Sequence, residues 1–338
     1  MSNHIEHDLE AEADGIDRKG FLKCMAWAGT GVLWTLSGCG FTSRTINDAA
    51  AAKATRAFSF VQISDSHIGF DKAANKDVTA TLEQCVRRIN ALPQRPAFVI
   101  HTGDHVHLSK PSEFDAVKQI LATIKTDRIF HVPGEHDVFV DQGRLYRRFF
   151  GRGSQGSGYY SFDVGGVHML ALANVQASEA ESKGTNNGLG VLGHDQLAFI
   201  KKDLARISSD TPIVIFGHVP LLAVYPQWGW ATADSAQVLE LLKRFASVTA
   251  LNGHIHQVIS KTEGNIVMHT ARSTAYPLHP PGDVAPEPLV VPVGELPSRI
   301  GIRTVGFRRG SSSLALVDES LAATGRARPR SASSPAAG

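Results

Sequence analysis

From residue 57 onward, short apolar runs rich in β-branched and aromatic residues alternate with longer stretches in which apolar positions recur at helical spacing. Ala57–Ser64 (AFSFVQIS) predicts a first strand. Asp77–Leu92 predicts a helix with Leu82, Val86 and Ile89 on one face. Ala97–His101 predicts a second strand, Pro111–Ile124 a helix capped by Ser112, and Arg128–Gly134 a third strand. The order is βαβαβ, and each strand runs into a polar, glycine-bearing turn. That is the pattern of an open sheet whose sites gather at the carboxyl ends of its strands.

The second half reads differently. Tyr159–Asn174 predicts a hairpin turning at Gly165-Gly166. Gly193–Ile207 and Ser235–Phe245 predict helices, Thr211–His218 and Val248–His256 strands, and Gln257–Ala271 and Gly301–Asp318 two more hairpins. Together these elements make one domain, residues 55–318, of two stacked mixed sheets flanked by helices. Residues 319–338 are expected to form a disordered tail, since Thr324–Gly338 is poor in large apolar side chains.

At 338 residues and 43% hydrophobic content, the chain can build one large α/β core. A formal charge of +2 sets up no strong field and argues against a nucleic-acid partner. The three cysteines, Cys24, Cys39 and Cys85, make no disulfide framework and no zinc-ribbon spacing. Cys85 is expected to pack as a small hydrophobe on a buried helix face.

Residues 1–54 stand apart as an export signal and linker. The apolar run Cys24–Leu36 is too short to span a bilayer, and it follows the basic pair Arg18-Lys19. The expected location is therefore periplasmic or membrane-anchored. Arg18–Lys23 resembles a twin-arginine signal in which Lys19 replaces the second arginine. Leu36–Cys39 (LSGC) resembles a bacterial lipobox, with Cys39 as the lipid-bearing residue. The alternative is a chance match, with cleavage near Ala49–Ala54 releasing a soluble protein.

The candidate chemistry stands at the strand ends. Asp65-Ser66-His67 follows the first strand, Gly103-Asp104 the second, and Gly134-Glu135-His136-Asp137 the third. Gly217-His218 and Gly253-His254-Ile255-His256 follow two later strands. Any one block is weak, because polar residues often terminate strands. Five in order are not accidental, and parallel strand ends should bring them together. Carboxylates and imidazoles so concentrated repel or desolvate unless a cation sits among them, and both are ligands for Mn, Fe and Zn. Strand alternation would let Asp65 and His67 chelate together, and likewise His254 and His256 unless the turn sends them to separate ions.

Over residues 57–270 this ordered set resembles the calcineurin-like metallophosphoesterases, whose pattern is D-x-H, G-D, G-N-H-D/E, G-H and G-H-x-H. The resemblance implies an α/β fold: a four-layer α-β-β-α sandwich of two mixed β-sheets flanked by helices. It implies two metal ions (iron, manganese or zinc), one held by Asp65, His67 and His256, the other by His218 and His254, with Asp104 between them. Glu135 falls where the family has Asn. The implied activity is hydrolysis of a small phosphodiester or phosphomonoester by in-line attack of a metal-bound hydroxide, like the cyclic-nucleotide phosphodiesterases or the phosphatases. His136 would contact a phosphate oxygen or protonate the leaving group, and Asp137 would orient it.

Three features leave alternatives open. Glu135 adds a charge that favours a more highly charged ion or a monoanionic diester, or it is a neutral swap of oxygen donors, or it weakens catalysis. His107 stands where purple acid phosphatases have a tyrosine, which disfavours that type; with Lys110–Ser112 it resembles the superfamily's DNA-repair exonucleases, or it is a rim residue. Pro220–Asp234 carries Tyr225, Trp228 and Trp230, which either stack on a nucleobase or lipid head group or pack as a loop. The proline-rich Tyr276–Pro297 is a candidate lid. Against the enzyme stand two other functions, a binding protein with an impaired centre and a nuclease. Intact ligand positions argue against the first, and the neutral charge against the second.

Overall fold

The structure is a computed structural model that describes residues 57–175, 190–282, 286–308 and 314–322, and the backbone of 32–37 and 40–45. The chain divides into two units, Met1–Thr55 and Arg56–Gly338. In the first unit, β1 (Val32–Ser37) and β2 (Gly40–Thr45) pair antiparallel, from Val32 opposite Thr45 to Ser37 opposite Gly40. The end of the expected export signal is therefore strand. Cys39, the basic pair and the tail Thr324–Gly338 lie outside the described residues. Among the described residues, no helix is long and apolar enough to cross a membrane.

Among the described residues, the second unit carries eleven strands in two sheets. β3 (Phe58–Ile63), β4 (Val99–His101) and β5 (Ile129–His131) run parallel. β6 (Tyr160–Val164) and β7 (Val167–Ala171) form the first predicted hairpin. β8 (Ile213–Gly217), β9 (Val248–Asn252), β10 (Ser260–Glu263) and β11 (Ile266–Thr270) follow, and β12 (Gly301–Phe307) and β13 (Ala315–Ser320) close the chain. The strand orders are β13-β12-β3-β4-β5 and β10-β11-β9-β8-β7-β6. Both sheets are mixed: β7, β8, β9 and β11 are parallel within the second, and its edges are antiparallel.

Side-chain alternation makes the layers. Phe60 of β3 and Val214 and Phe216 of β8 point between the sheets, where they meet Phe98, Ile100, Met169, Leu251 and Val305. Val61 and Ile63 point outward to α1 (Val78–Asn90) and α2 (Pro111–Leu121). Ile213 and Ile215 point outward to α4 (His194–Leu204) and α5 (Ala236–Leu242). Strands buried on both faces therefore read as unbroken apolar runs. The result is helix, sheet, sheet, helix, as expected. Cys85 is fully buried on α1. Arg303 stitches the two sheets: it is buried, its Nε donates to Asp318 at 2.9 Å, and its Nη2 donates to the Thr270 carbonyl of β11 at 2.9 Å.

Three local expectations are corrected. Ser112 is not the cap of α2, because Pro111 already occupies the first turn, where its missing N–H costs nothing; Glu113 accepts from Lys110 N and Leu108 N instead. α3 (Arg144–Phe150) went unpredicted, since seven residues are too few to show a period; Tyr146 buries there and Phe149 stacks on Phe114 at 5.5 Å. The last sheet strand also outruns residue 318. Glu319 pairs with Arg88 of α1 and Leu321 is buried, so a strand edge with a salt-bridge partner replaces the expected start of the tail.

Candidate metal centre

The carboxyl ends of β3, β4, β5, β8 and β9 converge, and every predicted ligand arrives there. Strand alternation is not the means. β3 ends at Ile63 and β9 at Asn252, so the ligands sit in the turns beyond. Asp65, His67, Asp104, His254 and His256 all have left-handed backbone, with φ of 56°, 42°, 53°, 67° and 56°. Each such non-glycine residue stores on the order of 1 kcal/mol or more of strain, which persists only where the surroundings over-determine it. Two glycines make the crowding feasible. A Cβ on Gly134 would lie 2.1 Å from Asp104 Oδ1, and one on Gly103 (φ +95°) would lie 2.5 Å from His218 Nδ1.

The side chains form two groups joined by one carboxylate. Asp65, His67 and His256 make the first: His256 Nε2 is 3.3 Å from Asp65 Oδ1 and 3.3 Å from His67 Nε2. Glu135, His218 and His254 make the second. Glu135 straddles it, with Oε2 2.8 Å from His218 Nε2 and Oε1 2.8 Å from His254 Nδ1. Asp104 Oδ2 stands between the groups, 3.5 Å from His67 Nε2 and 3.4 Å from His218 Nε2. His254 and His256 therefore go to different groups.

Neighbouring carbonyls fix the ring tautomers. His218 Nδ1 donates to Thr102 O at 2.7 Å, and His256 Nδ1 donates to Tyr276 O at 2.7 Å. Each ring then presents a bare Nε2 to the cluster, so the 2.8 Å approach of His218 Nε2 to Glu135 Oε2 is one of two acceptors. Asp65 Oδ2, Glu135 Oε2, His218 Nε2 and His254 Nε2 are buried without a hydrogen-bond partner. Only positive charge makes such a cluster favourable. A proton can supply part of it. Burial would depress the His218 imidazole, but Asp104 and Glu135 hold it well above its ordinary value. Burial likewise opposes ionisation of Glu135, yet His254 and His218 hold its carboxyl well below the usual range. Burial and the charge of Glu135 push Asp104 up, while His67 is depressed by burial and by His136 and His256. An ion in each group would supply that charge, and the oxygen-and-imidazole donor set suits manganese, iron or zinc.

His136 donates from Nδ1 to His107 O at 2.8 Å, and its ring lines the cleft. Burial lowers its pKa, but Asp104 and Glu135 outweigh that and raise it. Asp137 does not orient His136. Its Oδ1 accepts from His105 N (2.9 Å) and Val106 N (3.2 Å), and its Oδ2 from Gly134 N (2.9 Å) and His105 Nδ1 (2.9 Å). A fully buried carboxylate takes the nearest N–H groups, and here those belong to the backbone of two converging loops. Asp137 is thus a clamp between the Asp104 and Glu135 loops, and His105 is its side-chain partner.

The cluster opens into a cleft of about 250 Å³, with Phe70, Lys72, His107, Trp230, Tyr276 and Pro288 on its walls. Trp230 leans on His254 at 4.5 Å, Trp228 on Trp230 at 4.9 Å, and Tyr276 stacks on Phe70 at 4.1 Å. From the proline-rich stretch, Tyr276, Leu278, Pro286 and Pro288 line this cleft, and Leu289 N donates to Pro277 O at 2.8 Å. Sequence reasoning missed Tyr276, Thr102 and Asn174, which act partly or wholly through backbone or amide groups. Asn174, for example, accepts from His218 N at 3.1 Å. Its position just after β7, like the other blocks, was the one available signal.

Comparison with known proteins agrees with this geometry. Residues 58–258 match the calcineurin-like phosphoesterase family. A probable cyclic nucleotide phosphodiesterase of Rhodopseudomonas palustris is 26% identical over 227 residues, covering 64% of this chain and 78% of the relative. A probable glycerophosphodiester phosphodiesterase of Arcobacter nitrofigilis is 25% identical over 225 residues, covering 64% and 78%. The crystal structure of a dimetal phosphatase from Danio rerio shares the fold, with a TM-score of 0.54 and 16% identity over 77% of this chain and 98% of that one. The match over residues 58–258, coinciding with the converging strand ends, makes the chain a member of the calcineurin-like phosphoesterase family, an enzyme family of phosphoester hydrolases.

Proposed function

We propose that the protein is a two-metal phosphodiesterase that hydrolyses small phosphodiesters in preference to monoesters. The observation that carries this reading is the buried contact of acceptor with acceptor among Asp65, Asp104, Glu135 and four imidazoles. Asp65, His67 and His256 would hold one ion, Glu135, His218 and His254 the other, and Asp104 would serve both. When bound, the ions supply Lewis acidity toward the phosphate oxygens and acidify the attacking water.

The chain's own residues do the rest. His136, fixed by the His107 carbonyl, donates from Nε2 to the leaving oxygen. Lys72 offers a cation at the cleft mouth, and Trp230, Tyr276 and Pro288 restrict water. Glu135 supports the diester preference, because its charge repels a dianionic monoester more than a monoanionic diester. Both relatives named above are diesterases by name, which supports the same reading. The pattern of residues 17–39 supports action after export; cell fractionation of wild type and Cys39→Ser tests that part.

The test is to purify the protein free of metal, reload it with manganese, zinc or iron, and compare bis-p-nitrophenyl phosphate with p-nitrophenyl phosphate. Metal-dependent turnover favouring the diester is expected. Stoichiometric metal uptake without hydrolysis of either would favour the binding-protein reading.

A further inference from the structure

His107 touches two histidines of the site in different ways. His67 turns Nε2 toward the cluster, 3.3 Å from His256 Nε2 and 3.5 Å from Asp104 Oδ2. A ring nitrogen that ligates an ion carries no hydrogen, so the hydrogen of His67 belongs on Nδ1. The atom facing it is His107 Nδ1, at 3.4 Å. The His107 carbonyl meanwhile accepts from His136 Nδ1 at 2.8 Å. The His107 ring is held parallel to that of His136 at 4.8 Å and 19°, and edge-on to Phe70 at 5.1 Å and 81°. It is half-buried and lines the cleft beside Lys72.

We propose that His107 is a positioning residue of the metal centre and a donor to substrate: its Nδ1 accepts the hydrogen of His67 Nδ1, fixing the tautomer that frees His67 Nε2, and its own Nε2–H faces the cleft. The inference rests on the two-metal reading above. Accepting at Nδ1 leaves the His107 hydrogen on Nε2, so one ring links the first ion group to the substrate's polar rim. The phosphate's non-bridging oxygens, or an ester oxygen of the second substituent, are the acceptors within the class that this donor fits.

Two substitutions separate the two duties. His107→Asn puts an amide oxygen where Nδ1 stands and removes the Nε2–H; His107→Ala removes both. The measurement is calorimetric titration of metal-free protein with Mn²⁺ alone, joined to the ¹⁵N ring signature of His67. In wild type, two Mn²⁺ bind and His67 shows a single Nδ1–H tautomer. His107→Ala is expected to weaken one of the two sites about tenfold or more, and to mix the tautomers. His107→Asn is expected to restore affinity and tautomer while raising KM for bis-p-nitrophenyl phosphate with little change in kcat. Equal denaturation temperatures of the metal-free proteins show that the variants fold. Full affinity at both sites and an unmixed His67 tautomer in His107→Ala overturn the proposal. A third Mn²⁺ that disappears in His107→Ala overturns it too, since His67, His107 and His136 would then be ligands of their own ion. Wild-type protein that takes up no Mn²⁺ overturns the two-metal reading itself, and that is seen before any variant is compared.

Discussion

Glu135 reaches His218 and His254 with one oxygen each, both at 2.8 Å. An asparagine in its place offers one neutral oxygen and an amide that can only donate. Glu135 therefore makes the second ion group more negative and gives it two oxygen donors where the family pattern supplies one. One extra phosphate charge about 5 Å from a carboxylate costs on the order of 2 kcal/mol in a partly wet site. Glu135→Asn should then raise the ratio of monoester to diester kcat/KM roughly tenfold or more. Parallel assays with both p-nitrophenyl esters check this, and an unchanged ratio would mean that the glutamate is a neutral exchange of donors.

His136 should behave as an acid and not as a ligand. Its Nδ1 is engaged by the His107 carbonyl, so His136→Gln removes the Nε2 donor while leaving both ion groups intact. The expected loss in kcat is about 10²–10⁴-fold, with metal content unchanged. The loss should be smaller for substrates with acidic leaving groups, which need no proton. A uniform loss across leaving groups would move His136 from proton donation to phosphate binding.

Asp137 makes the opposite prediction. It accepts four hydrogen bonds from His105, Val106 and Gly134 and makes none to His136. Asp137→Ala strands those buried donors and should cost about 3 kcal/mol or more in stability, with loss of metal affinity as the two loops separate. Chemical denaturation and metal titration read both. Wild-type stability with depressed kcat would return Asp137 to a chemical role.

Acid should destabilise the fold through histidines away from the ions. His101 stacks on His105 at 3.7 Å, and His131 meets His105 Nε2 at 3.0 Å. Burial, then the nearby His105, holds His101 and His131 well below the ordinary value of 6.5. Below that pH the unfolded chain binds protons that the folded chain refuses. Stability is therefore full above about pH 6.5 and falls as the pH drops toward the folded values. In His131→Gln, the dependence of the denaturation midpoint between pH 7 and pH 5 should be shallower than in wild type; an equal slope would place the acid sensitivity elsewhere.

The sequence made the layers and the ligand set legible because both are written in short-range patterns. Ala57–Ser64 reads as a strand since it is apolar on both faces, and Asp65, His67 and His218 stand out because ionisable groups rarely follow such strands. Backbone conformation was not legible. Asp65 and His67 share an ion group through a left-handed turn and not through strand alternation, and nothing in D-x-H distinguishes the two. Asp137 illustrates a second limit: its neighbour in sequence is His136, but three of its four hydrogen bonds come from His105 and Val106, about thirty residues away on another loop. α3 was hidden by its length, and Tyr276 by acting on His256 through a carbonyl that any residue type carries.

The two-metal proposal rests on three carboxylates and four imidazoles gathered at the strand ends. Crystals of metal-free protein soaked with Mn²⁺ and measured at the manganese edge test it most directly. Two anomalous peaks should appear, one among Asp65, His67 and His256 and one among Glu135, His218 and His254, with Asp104 touching both. A single peak, or none within reach of these residues, would contradict it.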